Sequence, residues 1–195
     1  MGYPLNLLDK HTLLGARGHT IGGRTGALVS IGADGIIGSV RNASEKELLV
    51  TRIDMGFYTT TFASVLSGVS FAAYKVESFT ASPTNGRTTA PVAVRKRSEE
   101  HEALSATDIE IVVANTAALT AGTPAAPTAA DPWCFLICGA AVSGAAADYW
   151  GQSSWEPKHQ ALSLREDEGL MFLCQSAFPT SLQGRFVMSL EVHTL

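Results

Sequence analysis

Gly184-Arg185-Phe186-Val187-Met188-Ser189-Leu190-Glu191-Val192-His193-Thr194-Leu195 sets Phe186, Met188, Leu190 and Val192 on one parity, against Val187, Ser189, Glu191 and His193 on the other. An apolar residue at every second position is the period of a strand with one buried face. Reading back toward the N-terminus, the same text recurs. Residues 170–175 and 160–165 are short apolar runs joined by a turn at 166–169. Residues 133–139 read as a buried strand and 108–115 as a β-branched one. Residues 92–97 return as a strand, with Pro91 tolerated at its start.

Residues 69–79 alternate, but Val69, Phe71 and Ala73 hold one parity before Tyr74, Val76 and Ser78 take the other. Such a shift predicts a bulge near Ala72-Ala73. Residues 47–54 place Leu48, Val50 and, by the same parity, Arg52 on one face and Leu49, Thr51 and Ile53 on the other. Residues 27–31 form a further strand. Ala33-Asp34-Gly35 is a turn, and Pro83-Thr84-Asn85-Gly86 is a second, because Asn-Gly supplies the positive φ of a tight hairpin. Residues 98–106, 120–132 and 144–157 read as polar or small-residue connections, the last carrying Trp150 and Trp155.

That makes about eight or nine strands separated by turns, with no convincing amphipathic helix. The fold class is all-β, and an antiparallel, jelly-roll-like β-sandwich fits best, with another sandwich or a barrel as alternatives. Ahead of it, Gly15, Gly18, Gly22, Gly23 and Gly26 make residues 1–26 too flexible for a helix and too poor in side chains for a core strand. Residues 1–26 are therefore read as an extended arm and residues 27–195 as the sandwich domain.

Hydrophobic residues make up 46% of the chain and charged ones only 16%, against a typical charged share of about 25%. A surface so poor in charge leaves neutral area for subunit contacts. A net charge of −4 argues against direct nucleic-acid binding, which needs a basic face. The longest apolar runs fall short of the ~20 residues of a membrane span. Residues 1–8 lack the basic and apolar regions of a signal peptide. Cys134, Cys138 and Cys174 read as reduced core thiols.

Each candidate for chemistry meets a plainer reading. Gly18-His19-Thr20-Ile21-Gly22-Gly23-Arg24-Thr25 has phosphate-loop spacing with Arg for Lys, but a strand rather than a helix follows it. Cys134 and Cys138 on a strand would stand roughly 13 Å apart, too far to share a metal. His11, His19, His101, His159 and His193 form no ligand-spaced pair. Glu166-Asp167-Glu168 reads as a solvated hairpin turn ahead of a cation site. Arg95-Lys96-Arg97 is the only basic run, serving either to discourage edge pairing or to meet an acidic neighbour or nucleic acid. Trp150 and Trp155 beside Tyr149 are either an interface or sugar-stacking group, or caps on the core. No catalytic residue, metal or cofactor is expected.

Several stretches resemble small virion proteins of tailed bacteriophages. They are residues 67–98, with Thr84-Asn85-Gly86-Arg87-Thr88-Thr89-Ala90-Pro91 leading into Arg95-Lys96-Arg97-Ser98, then Asn115-Thr116-Ala117-Ala118-Leu119-Thr120-Ala121-Gly122-Thr123, Leu162-Ser163-Leu164, Glu168-Gly169-Leu170 and the last alternating strand. The resemblance implies a capsid decoration or cement subunit, found in the virion after synthesis in the host cytoplasm. It also implies a homo-oligomer, a trimer above all, with the major capsid protein or other virion subunits as partners. The expected contacts are Tyr3, Leu5, Leu7 and Leu8 of the arm, Arg95, Lys96 and Arg97, and Tyr149, Trp150 and Trp155. The alternative is a carbohydrate- or receptor-binding β-sandwich module with Tyr149, Trp150 and Trp155 as its stacking platform. A hydrolase or metal-dependent sandwich enzyme is a more distant third.

Overall fold

A computed structural model of the chain describes residues 18–61, 68–89, 108–122, 132, 134–143, 146–156 and 162–194. Within them run β1 (Gly18–Arg24), β2 (Leu28–Val29), β3 (Gly35–Asn42), β4 (Leu48–Thr61), β5 (Val69–Val76) and β6 (Gly86–Thr89). β7 (Ile109–Ala114), β8 (Cys134–Ser143), β9 (Ala146–Trp155), β10 (Leu162–Leu164), β11 (Gly169–Cys174) and β12 (Gln183–Thr194) follow, and no helix occurs among the described residues.

All pairings are antiparallel, and they make two sheets packed face to face as an all-β sandwich. The first sheet has the order β1-β12-β4-β9, with β2 added to β12 and β10 to β4. The second has the order β8-β5-β11-β3-β7-β6. β8 and β9 pair with each other from Gly139↔Trp150 to Ser143↔Ala146, and so join the sheets along one rim. At the opposite rim the chain leaving β1 bridges the layers. Thr25 donates its N–H to the Phe186 carbonyl and Gly26 to the Ala114 carbonyl, both at 3.0 Å. A Cβ at Gly26 would collide with the Asn115 carbonyl, so only glycine lets the backbones approach this closely.

The strict alternation of β12 is realised: Phe186, Met188, Leu190 and Val192 are all buried, each at most 1% exposed. Phe71 of β5 lies with its ring centroid 5.0 Å from both Phe57 and Phe186 and 6.3 Å from Phe178. Phe172 adds a contact to Phe186 at 5.9 Å. These rings from β4, β5, β11 and β12 tie the two sheets together. Each buried phenylalanine stabilises the fold by about 1.5–3 kcal/mol, with a further 0.5–1.5 kcal/mol per aromatic pair.

On the second sheet, Ala72, Tyr74, Met171 and Leu173 have the opposite parity to Phe71 and Phe172 and are buried as well. Part of that outer face lies under residues 79–85, held by the Ser82 Oγ to Glu110 bond at 2.8 Å and the Thr84–Thr120 bridge. Arg41 joins the same network, its Nη2 2.5 Å from Asp167 and its Nη1 3.3 Å from Glu110. The Asp167 bond, set against partial burial, holds the Arg41 guanidinium above its ordinary pKa.

Several sequence expectations are corrected. The stretch 18–24 is not arm but an edge strand, with seven residue pairs to β12 and Ile21 1% exposed. Its glycines are compatible with a strand because β12 supplies the hydrogen bonds and the apolar neighbours. Residues 1–17 lie outside the described residues. β3 was not foreseen, and it is a central strand between β11 and β7. Residues 144–157 are not a loop, since 146–155 form β9 in the span between β4 and β8. No register shift occurs at Ala72-Ala73, because both faces of β5 are buried and parity no longer marks one inside face. Register shifts lie elsewhere: in β4 at Thr51, where Glu191 pairs Arg52 and Val192 pairs Val50, and at Thr60 near its end, and in β3 at Ile37, opposite Phe172 and Leu173 of β11. Asn85 has the expected positive φ of 63°, but it opens β6, which pairs with β7 instead of closing a hairpin on β5. Residues 92–97 lie outside the described residues.

Candidate functional site

β4 decides the character of the outer face of the first sheet. Beyond the Thr51 bulge, Ile53, Met55 and Phe57 point into the core, so Arg52, Asp54, Gly56 and Tyr58 alternate onto the outer surface. Register then fills in the neighbours. On one side Arg52, Asp54, Gly56 and Tyr58 stand opposite Glu191, Ser189, Val187 and Arg185 of β12. On the other, Asp54 and Gly56 stand opposite Ser154 and Gln152 of β9, and the backbone of Trp150 lies opposite Tyr58. β1 continues the face with Thr20, Gly22 and Arg24, paired to Glu191, Ser189 and Val187.

These positions enclose an open groove of about 400 Å³, lined by Arg52, Asp54, Gly56, Tyr58, Gln152 and Ser189 among others. Gly56 makes its floor. A Cβ there would have only the Gly151 carbonyl near it, at 3.8 Å. Tyr58 stands at one end, 40% exposed. At the other end Arg52 Nε reaches both Asp54 oxygens at 2.9 Å, and its Nη1 lies 3.3 Å from Glu156. The Asp54 hydrogen bond holds the Arg52 guanidinium above its ordinary pKa. An ion pair so exposed contributes about 0–1 kcal/mol to stability. It does fix the Asp54 carboxylate as an oriented acceptor beside the groove.

The Tyr58 end is electrostatically different. Arg185 faces Tyr58 across the ladder, and Arg24 faces Val187 two positions along. Arg87 donates to the Arg24 carbonyl at 2.8 Å, which brings a third guanidinium to this rim. Among the described residues none of these three arginines is ion-paired with a carboxylate. The Nε of Arg185 is buried without a hydrogen-bond partner.

Of the residues singled out in the sequence, Tyr3, Leu5, Leu7, Leu8, Arg95, Lys96 and Arg97 lie outside the described residues. Tyr149 and Trp150 sit in β9, with backbones opposite Ala140 and Gly139. Trp155 is partly buried and packs against the core, which removes it from an exposed stacking platform. Cys134 and Cys174 are buried, and neither is in a disulfide. The turn between β10 and β11 is not simply solvated: Asp167 pairs with Arg41 and Glu168 with Lys75. No group of three or more His, Cys, Asp or Glu among the described residues could hold a metal ion.

Gly56 and Tyr58 were missed because the reading of β4 stopped at Asp54, and Arg52 because the bulge at Thr51 reverses the parity before it. Arg52-Ile53-Asp54-Met55-Gly56-Phe57-Tyr58 carries the signal, polar or aromatic against apolar at every second position. No protein-family model, curated protein or solved structure matches this chain.

Proposed function

We propose that this chain is a non-enzymatic structural subunit of a bacteriophage virion, a jelly-roll sandwich that reinforces a capsid through contacts with itself and with the major capsid protein. The observation that carries this reading is the nesting of its strand pairs. β1 pairs with β12, β3 with β11, β4 with β9 and β5 with β8. Eight strands therefore pair first with last, second with seventh, third with sixth and fourth with fifth. That is the order produced by rolling up one long hairpin, and the double-sheet jelly roll built this way serves viral capsid and lectin domains. The β6–β7 hairpin adds to the outside of β3.

Such a subunit works by area and copy number. Its charge-poor composition suits buried contacts, and modest contacts compound by avidity on a lattice. The segment bearing Tyr3, Leu5, Leu7 and Leu8 precedes an edge strand, which is where strand addition to a neighbour is open. Deleting residues 1–17, which spares β1, should abolish co-sedimentation with capsids and self-association in sedimentation velocity, while leaving the melting curve in place. Undiminished co-sedimentation would remove the segment from the mechanism.

A second reading, a saccharide-binding module, is favoured by the groove itself. It offers an exposed tyrosine, a glycine floor and the polar groups of Asp54, Gln152 and Ser189, the mixture of flat apolar surface and fixed hydrogen-bonding groups that a sugar requires.

A further inference from the structure

We infer that the Tyr58 end of the groove takes the anionic group of an acidic saccharide, with Arg185 and Arg24 as the residues that hold it. The inference rests on the saccharide reading above and names its ligand class. Two independent observations converge on one end of the groove.

The first is charge. At the far end Arg52 is satisfied by Asp54 and Glu156. Arg24 is paired with Val187 and Arg185 lies two residues before Val187 on the same strand, so both share the outer face, and among the described residues neither has a carboxylate partner. Two arginines on diagonal positions of one sheet face stand roughly 7–8 Å apart at the backbone, from which both long side chains can reach a single anion. Arginine presents a planar fork that matches a carboxylate bidentately.

The second is shape. Tyr58 is the cross-strand neighbour of Arg185 and is 40% exposed, and beyond it Gly56 leaves a floor on which a sugar ring can lie. An anion at Arg185 therefore places the attached ring over Tyr58 and Gly56, with Gln152 and Ser189 within the same groove. An acidic peptide is the competing occupant, but it would gain little from an aromatic set beside a flat glycine floor.

The test is calorimetric titration of the full chain with trigalacturonate, trimannuronate and sialyllactose, each beside its neutral methyl ester, and with hexaglutamate. The expected result is binding of at least one acidic saccharide, weakened at least about tenfold by esterification, as loss of a charge-assisted contact predicts. Arg185→Gln and Arg24→Gln should each weaken the acid about fivefold or more and leave the ester unchanged. Gly56→Val, which meets no close atom at its Cβ, should abolish binding of both at an unchanged melting temperature. The ester comparison needs no variant, so a folding defect in Arg185→Gln leaves the inference testable. Equal affinity for acid and ester would overturn the inference and spare the saccharide reading. No binding by any saccharide would overturn both. Hexaglutamate binding as tightly as the best saccharide would overturn the assignment in favour of an acidic segment.

Discussion

Phe71, on the second sheet, is a side chain on which the two layers depend, because it is fully buried and its ring lies against Phe57 and Phe186 of the first sheet and against Phe178 of the β11–β12 connection. Phe71→Ala opens a cavity that strand backbones cannot collapse to fill, and should cost about 3–5 kcal/mol in urea denaturation. Ile137, 70% exposed on β8, is its opposite, and Ile137→Ser should change stability by no more than about 0.5 kcal/mol. Glu168 sets the acid response. Burial pushes its carboxyl up, but the Arg165 N–H at 2.9 Å and the Lys75 ammonium at 3.0 Å outweigh burial and leave its pKa below the ordinary 4.5. A depressed carboxyl contributes stability above its unfolded value and loses it as pH falls through the folded one. Glu168→Gln should therefore flatten the decline of melting temperature below about pH 4.5 and lower stability near neutrality. A mutant whose acid limb matches the parent's would show that the Lys75 pair does not contribute.

At the scale of elements, strands were legible where one face is buried and the other is wet. β12 alternates because its inner side chains meet the core and its outer ones are partly open to solvent, and the sequence sorted its residues up to Val192; His193, read on the outer parity, is buried. β5 and β3 are covered on both faces, so their apolar runs carry no parity. The bulge at Thr51 broke the alternation of β4 partway and hid Arg52, Gly56 and Tyr58, and with them the groove. β1 and β9 were invisible for another reason. Gly18-His19-Thr20-Ile21-Gly22-Gly23-Arg24 and the Gly/Ser-bearing stretch 146–155 have their strand-favouring residues diluted by Gly, Ala, Asp and Ser, and become strands where β12 and β4 offer long edges to pair with. Pairing that comes from outside the segment cannot be read inside it. A sharp consequence follows for truncation. Deleting residues 1–17 should preserve the cooperative melt, whereas deleting residues 1–26 removes the β1 ladder and bares Ile21's neighbours on β12. That second deletion should abolish the cooperative transition in circular dichroism, and an intact melt would show β1 to be dispensable.

For the whole molecule, nesting makes folding all-or-none. β12, the last strand in the chain, runs inside the first sheet between β1 and β4, so neither neighbour is complete until residues 183–194 have arrived. Long-range pairing of this kind folds slowly and leaves few units that are stable alone. Cys134 on β8 and Cys174 on β11 report on this from the two sides of β5. Cys134 is 4% exposed and Cys174 fully buried, and the Cys174 thiol donates to the Ser176 carbonyl at 2.9 Å. A buried thiol reacts only when its strand opens. If every strand is held by a partner distant in sequence, neither β8 nor β11 can open without breaking the nest, and the two thiols must become reactive together. In a Cys138→Ser background, both should therefore label with a thiol reagent at one common rate, and Phe71→Ala should raise that rate for both by the same factor. Labelling of Cys134 well ahead of Cys174 would mean that the β8–β9 rim opens on its own, and that the sandwich is hinged along the rim where β8 and β9 join its two sheets.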